Sequence, residues 1–285
     1  MAGCAVALGL IAAPARPAAA AQPQAARPIR IVLVGDSTVT DTAGWGLGFK
    51  CFLTDGAECI NASRGGRSSR SYRDEGLWQK ALELKGDYYL FQFGHNDEPG
   101  KGPARETDPA TTFPQFMARY VDEARAIGAR PILVTSLTRR KFDPADHHKL
   151  LPSLVPYAAA VRKLAAEKHV PLVDLHARSI ALCEELGEDG CAGLSARTKD
   201  GMVDTTHLNP QGSLAFARLV VGELRRSAPA ARALAASRSR LTSRLRKSEI
   251  RRAICGASPA TQSRPACDIK LYEKGSKRSL SVKTQ

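Results

Sequence analysis

The sequence predicts an α/β fold built on a five-stranded parallel, doubly wound sheet. Three observations predict it. Short apolar runs recur at residues 31–34, 58–61, 88–93, 131–136 and 170–173, and helical stretches fall between them, the alternation that produces a parallel sheet. The first run, Ile31-Val32-Leu33-Val34, is apolar without interruption, as a strand covered on both faces should be. It leads directly into Gly35-Asp36-Ser37-Thr38, which sets an acid and a hydroxyl at the carboxyl end of the strand, where open α/β sheets hold their sites.

Helices are signalled at 113–127, 154–168, 175–186 and 209–225, the last with Asn209 as N-cap and Pro210 in the first turn. Beyond Arg226 the pattern dissolves into Ala, Ser and Arg. A basic helix over 237–252 would have no clear core face. No internal repeat is present.

The 285 residues, 43% of them hydrophobic, suffice for one large core. The net charge of +14 suggests a nucleic-acid partner until it is located. Residues 225–285 hold 16 Lys/Arg against 3 Asp/Glu, so +13 of the total sits in the tail and residues 1–224 are near neutral. The first 22 residues have the apolar centre and small-residue exit of a secretory signal. The predicted organisation is a signal peptide at 1–22, a linker at 23–28, a folded domain at 29–226 and a basic, disordered tail at 227–285. Export implies a secreted or periplasmic protein, with no membrane span and no nucleic-acid partner. Apart from Cys4 there are six cysteines, an even number suited to disulfides, and proximity pairs Cys51 with Cys59, Cys183 with Cys191 and Cys255 with Cys267. The absence of Cys-x-x-Cys argues against a zinc or redox motif.

Asp204-Thr-Thr-His207 precedes the last helix, and a spacing of three lets one turn hold the carboxylate beside the imidazole. Alone, the pair would read as a helix-capping Asp and a surface His. With Ser37 it supplies nucleophile, base and orienting acid, because a serine hydroxyl attacks poorly until a base removes its proton. Two further blocks offer donors for an oxyanion. Gly66, in Asn61-Ala-Ser-Arg-Gly65-Gly66-Arg67-Ser68, lets a backbone N–H approach a substrate; Asn96, in Gly94-His95-Asn96-Asp97, offers its side-chain amide. The N–H of Ser37 is the third donor.

These residues resemble the SGNH (GDSL) hydrolases, whose four blocks contribute Ser, Gly, Asn and His, here Ser37, Gly66, Asn96 and His207. The rhamnogalacturonan acetylesterase-like branch is the nearer match, through Gly35-Asp36-Ser37-Thr38, Gly44-Trp45-Gly46, Gly66-Arg67-Ser68-Ser69-Arg70-Ser71, Gly94-His95-Asn96-Asp97 and Asp204-x-x-His207. It covers about residues 29–226. The resemblance implies a flavodoxin-like three-layer α/β/α sandwich and a secreted serine esterase that removes acetyl groups from pectic polysaccharide. Ser37, Asp204 and His207 would be catalytic; Ser37, Gly66 and Asn96 would form the oxyanion hole. No metal or organic cofactor is required. The expected partner is an acetylated acidic polysaccharide, and the expected state a monomer. Two alternatives stand beside this reading: a lipid-directed esterase or thioesterase of the same superfamily, and a polyanion-binding role for the tail.

Arg64, Arg67, Arg70 and Arg73 recur every three residues, and on a helix they would form one basic stripe. Arg67 and Arg70, with Arg139 and Arg140 after the fourth strand, are the candidates for gripping substrate carboxylates. His147-His148 lacks further ligands and reads as a loop pair. His95 is expected to brace its loop by hydrogen bonding, and Trp45 to pack beneath the nucleophile.

Overall fold

The computed structural model describes residues 27–228. The expected signal peptide, almost all of the expected linker, Cys4, the basic helix considered over 237–252 and the expected Cys255/Cys267 pair lie outside the described residues, as does all but the start of the tail.

The chain enters the sheet on β1 (Ile29–Gly35) and then forms α1 (Gly46–Lys50), β2 (Ala57–Asn61), α2 (Ser71–Asp74), α3 (Leu77–Glu83) and β3 (Tyr88–Gln92). There follow α4 (Thr112–Ala126), β4 (Arg130–Val134), the hairpin β5 (Phe142–Asp143) and β6 (Asp146–Leu150), α5 (Val155–Glu167) and β7 (Leu172–Val173). The domain ends with α6 (Leu175–Ala192), the antiparallel pair β8 (Ser195–Arg197) and β9 (Val203–Leu208), and α7 (Pro210–Ser227). Five strands make one parallel sheet in the order β2-β1-β3-β4-β7. All five expected strands are there, and so are the four expected helices, each within a few residues.

Alternation along the strands builds two cores, one on each face. Ile31 and Leu33 of β1 point to the face covered by α1 and α7, where they join Leu90, Ile132, Phe49, Phe216, Val220 and Leu224. Val32 and Val34 point the other way, to Tyr89, Phe91, Trp78, Met117, Tyr120 and Val161. On that second face Trp78 stands edge-on to Tyr89, Phe91 and Tyr120 at 5.5, 5.5 and 5.2 Å between ring centroids, within the range favoured by aromatic pairs. The result is the three-layer α/β/α sandwich.

From β1 the chain crosses to β2 on one side and returns to β3 on the other, so the strand order reverses at β1/β3. A crevice opens at such a reversal, outside the carboxyl ends of the strands. Ser37 follows β1 and Asn96 follows β3.

Several expectations are corrected. Helix α2 has only four residues, so Arg64, Arg67, Arg70 and Arg73 form no helical stripe. Arg73 is buried, bonded to Glu123 Oε1 at 2.6 Å and placed over the Tyr120 ring. The expected end of a helix at residue 186 marks a break rather than an end: Gly187 takes φ +68°, and α6 resumes to Ala192. A Cβ at Gly187 would lie 2.8 Å from the His148 ring of β6, so the glycine admits that packing. Cys51, Cys59, Cys183 and Cys191 are free thiols, and neither expected bridge among the described residues is formed. Cys51 Sγ, just past the end of α1, instead donates to Leu47 O, and Cys191 Sγ lies 3.8 Å from Cys183 O.

Candidate active site

The turn after β1 is held from below. Thr38 donates to Asp36 Oδ1 twice, from N at 2.9 Å and from Oγ1 at 2.7 Å. Gln92, at the end of β3, donates from Nε2 to Thr38 Oγ1 at 2.7 Å and accepts from Trp45 Nε1 at 2.9 Å. A buried chain Trp45–Gln92–Thr38–Asp36 thus fixes the backbone on which Ser37 stands. Gly44 lets the backbone come this close, since a Cβ there would lie 2.1 Å from Thr38 O.

Ser37 is partly exposed, and its Oγ lies 2.9 Å from His207 Nε2. On the far side of the ring, Nδ1 lies 2.7 Å from Asp204 Oδ2. A carboxylate only accepts, so the Nδ1 proton belongs to the imidazole and Nε2 is left to accept from the Ser37 hydroxyl. Asp204 Oδ1 also accepts from Thr206 N at 2.8 Å and His207 N at 2.9 Å. Burial would raise the Asp204 carboxyl, but the His207 and Thr206 donors outweigh it and keep it below its ordinary value. Asp204 and His207 were expected in a turn and instead lie on β9. The pairing with β8 shifts register between Ser195 and Arg197, and the side chain of Asp204 folds back on its own backbone.

The groups expected to serve as oxyanion donors lie close to Ser37. Gly66 takes φ +78°, a conformation natural to glycine, and nothing stands within 4 Å of where its Cβ would be. A Cβ on Gly65 would lie 3.5 Å from Ser37 Cβ, so this turn rests against Ser37. Asn96 Nδ2 donates to Arg67 O at 3.2 Å, which places the amide beside Gly66 and leaves it a second hydrogen to donate. Among the described residues, the N–H groups of Ser37 and Gly66 donate to no protein acceptor.

Asp97, next in the chain, is buried and locks the two loops together: it accepts from Ser69 N and Oγ and from Thr107 Oγ1. Burial pushes its carboxyl up to about 7 against those donors, with the charge of Asp36 acting in the same direction. Contrary to expectation, His95 does not brace its loop by hydrogen bonding within the described residues. Neither ring nitrogen makes a hydrogen bond among the described residues, and Nδ1 faces Asp36 Oδ2 at 3.7 Å, too long for one. Burial raises Asp36, yet the facing His95 and the Thr38 donors hold it below its ordinary range.

The arginines proposed for substrate are engaged with the protein. Arg67 pairs with Glu75 at 2.9 Å and donates to Gly65 O, Arg70 pairs with Asp74 at 3.4 Å and donates to Pro103 O, and Arg139 pairs with Glu98. Arg140 is the clear correction: it is 3% exposed and points inward to the backbone of β9 rather than out to solvent. His147 bonds to Glu188 and His148 to Glu184 O, and among the described residues no three His, Cys, Asp or Glu side chains gather as a metal site.

The model of the GDSL-like lipase/acylhydrolase family matches residues 33–215, a span that contains Ser37, Gly66, Asn96, Asp204 and His207. The chain belongs to that family. Among family relatives it is 37% identical over 211 residues to rhamnogalacturonan acetylesterase RhgT of Bacillus subtilis (strain 168), covering 68% of this chain and 88% of the relative. It is 35% identical over 198 residues to the probable rhamnogalacturonan acetylesterase YesY of the same organism, covering 67% and 89%. The crystal structure of the B. subtilis protein YxiM superposes with a TM-score of 0.61 at 30% identity, over 71% of this chain and 58% of that one. Within the family frame, sequence reasoning missed the supports: Gln92, Ser69, Thr107 and Arg140. Gln92 carried a signal, a lone amide in the apolar run Tyr88-Tyr-Leu-Phe-Gln92-Phe, which must find a partner when buried.

Proposed function

We propose that this family member is a carbohydrate O-acetylesterase acting on acetylated rhamnogalacturonan or a related pectin, through an acyl-enzyme on Ser37. The observation that carries the reading is the pair of hydrogen-bond contacts across His207, 2.9 Å to Ser37 Oγ and 2.7 Å to Asp204, in a chain 37% identical to a rhamnogalacturonan acetylesterase. Ser37 Oγ attacks the acetyl carbonyl as Nε2 of His207 takes its proton, and Asp204 stabilises the imidazolium. The oxyanion is met by the N–H groups of Ser37 and Gly66 and by the Asn96 amide, donors already in place before charge develops. His207 then gives its proton to the departing sugar oxygen. A water, deprotonated by the same nitrogen, attacks the acetyl-serine, and acetate leaves with the Ser37 hydroxyl restored. The Ala-rich leader supports an enzyme exported to its polymer, which N-terminal sequencing of the mature protein tests: an intact Met1 would contradict it.

Acetate release measured across acetylated pectins, acetylated xylans and a series of p-nitrophenyl esters tests the substrate class. The acetylesterase reading expects acetylated pectin to be turned over fastest among the polymers and acetyl esters faster than long-chain ones. Preference for long acyl chains would instead make the protein a lipid-directed esterase.

A further inference from the structure

We propose that Arg140 is a positioning residue for the reaction, setting the aim of His207 through the backbone that carries it; this rests on the acyl-transfer reading of the site. Arg140 lies in the loop between β4 and β5 and packs against the backbone of β9. Its backbone N–H donates to Thr205 O at 2.8 Å. Its guanidinium donates to Thr206 O from Nη1 at 3.3 Å, and from Nη2 to Asp204 O at 3.1 Å and His207 O at 2.6 Å. One residue therefore takes all four carbonyls from Asp204 to His207. The remaining arm, Nε, donates to Ser195 Oγ at 2.8 Å, and that hydroxyl donates in turn to Cys191 O at the end of α6. The guanidinium also lies over the Phe216 ring of α7, 5.8 Å from its centroid.

Two features make this more than packing. First, the grip complements that of Asp204, whose carboxylate takes the N–H groups of Thr206 and His207. The catalytic tetrapeptide is thus held by its carbonyls from one side and by its N–H groups from the other, which leaves the imidazole little freedom of approach to Ser37. Secondly, only neutral oxygens accept from this buried cation. A cation taken out of water without a bonded carboxylate is costly, and only a planar fork with five donors can meet this many carbonyls at once. A misplacement of about 1 Å at a reacting group costs roughly 10²-fold in rate, so the fork's geometry bears directly on turnover.

The test compares kcat and KM for an acetyl ester in the full chain carrying Arg140→Gln, Arg140→Lys or Ser195→Ala, with Ser37→Ala as the reference for a dead site. Positioning predicts that Arg140→Gln lowers kcat roughly 10- to 100-fold with KM changed less than about twofold, and that Arg140→Lys recovers part of the loss. The low-field proton resonance of His207 Nδ1 should broaden in Arg140→Gln, as the ring is less firmly held to Asp204. Should Arg140→Gln fail to fold, Ser195→Ala keeps the cation and removes only its Nε anchor, and kcat should fall a few-fold. A folded Arg140→Gln or Ser195→Ala with wild-type kcat, or a loss confined to KM, overturns the proposal. If Ser37→Ala retains activity, the acyl-transfer reading itself fails, a result distinct from an inactive Ser37→Ala beside a fully active Arg140→Gln.

Discussion

Asp204 uses both carboxylate oxygens on its own strand, Oδ1 for the N–H groups of Thr206 and His207 and Oδ2 for the ring. Asp204→Asn keeps an oxygen for the backbone but presents an amide hydrogen toward Nδ1, or forces the opposite tautomer. Turnover should fall by roughly 10²- to 10⁴-fold while the circular dichroism spectrum stays unchanged. A loss under tenfold would show that His207 is oriented by other means. Beneath Ser37, Thr38 both donates to Asp36 and accepts from Gln92. Thr38→Val leaves two buried groups short of a partner and should destabilise the fold by about 1–3 kcal/mol in urea titration. Unchanged stability would mean that the chain from Trp45 to Asp36 can reorganise. The residues proposed to react were legible because each sits in a short block whose chemistry makes sense only with the others. Arg140 was not, because a sequence does not record whether a guanidinium in a loop turns outward to solvent or inward to carbonyls.

At the level of elements, legibility followed length and period. Strands β1, β3 and β4 are built on apolar runs of four residues, and α4 and α7 present apolar residues at helical spacing, so they were read to within a few residues. Helices α1, α2 and α3, of five, four and seven residues, are too short for a period to emerge. Strand β6 reads Asp-His-His-Lys-Leu and is exposed except for Leu150, which hid it among loop residues. Helix α1 is placed by glycine rather than by apolar pattern. A Cβ on Gly48 would lie 2.3 Å from Ser213 O of α7, while the Gly48 N–H donates to Ser213 Oγ at 2.9 Å. Gly48→Ala therefore forces the two helices apart and should cost about 1–3 kcal/mol, read as a lowered denaturation midpoint. Since α7 follows directly on His207, activity should fall with it; a variant as stable as wild type would contradict this account of the α1–α7 contact.

For the whole molecule, the sheet and its two cores bring three loops from different strand ends to one crevice, and buried charge between those loops makes stability depend on pH. In the folded chain Asp97 keeps its proton up to about 7, against an ordinary value of 3.8. Between those values the folded state binds more protons than the unfolded one, so the contribution of Asp97 falls as pH rises through that window and is level above it. Asp36, Asp174 and Asp204, held below their ordinary values, act oppositely, and their contributions are lost as pH falls through the acid range. Urea midpoints of wild type and Asp97→Asn, taken from about pH 4 to about pH 8, isolate the first effect. The variant should gain on wild type as pH rises, and parallel profiles would show that Asp97 is ionised throughout. The central claim, acyl transfer at Ser37 on an acetylated pectic polymer, is tested most directly by acetate release from acetylated rhamnogalacturonan with wild type and Ser37→Ala side by side. The account predicts steady release by wild type and a loss of at least about 10³-fold in a folded Ser37→Ala; release by the variant within tenfold of wild type, or none by wild type, would contradict it.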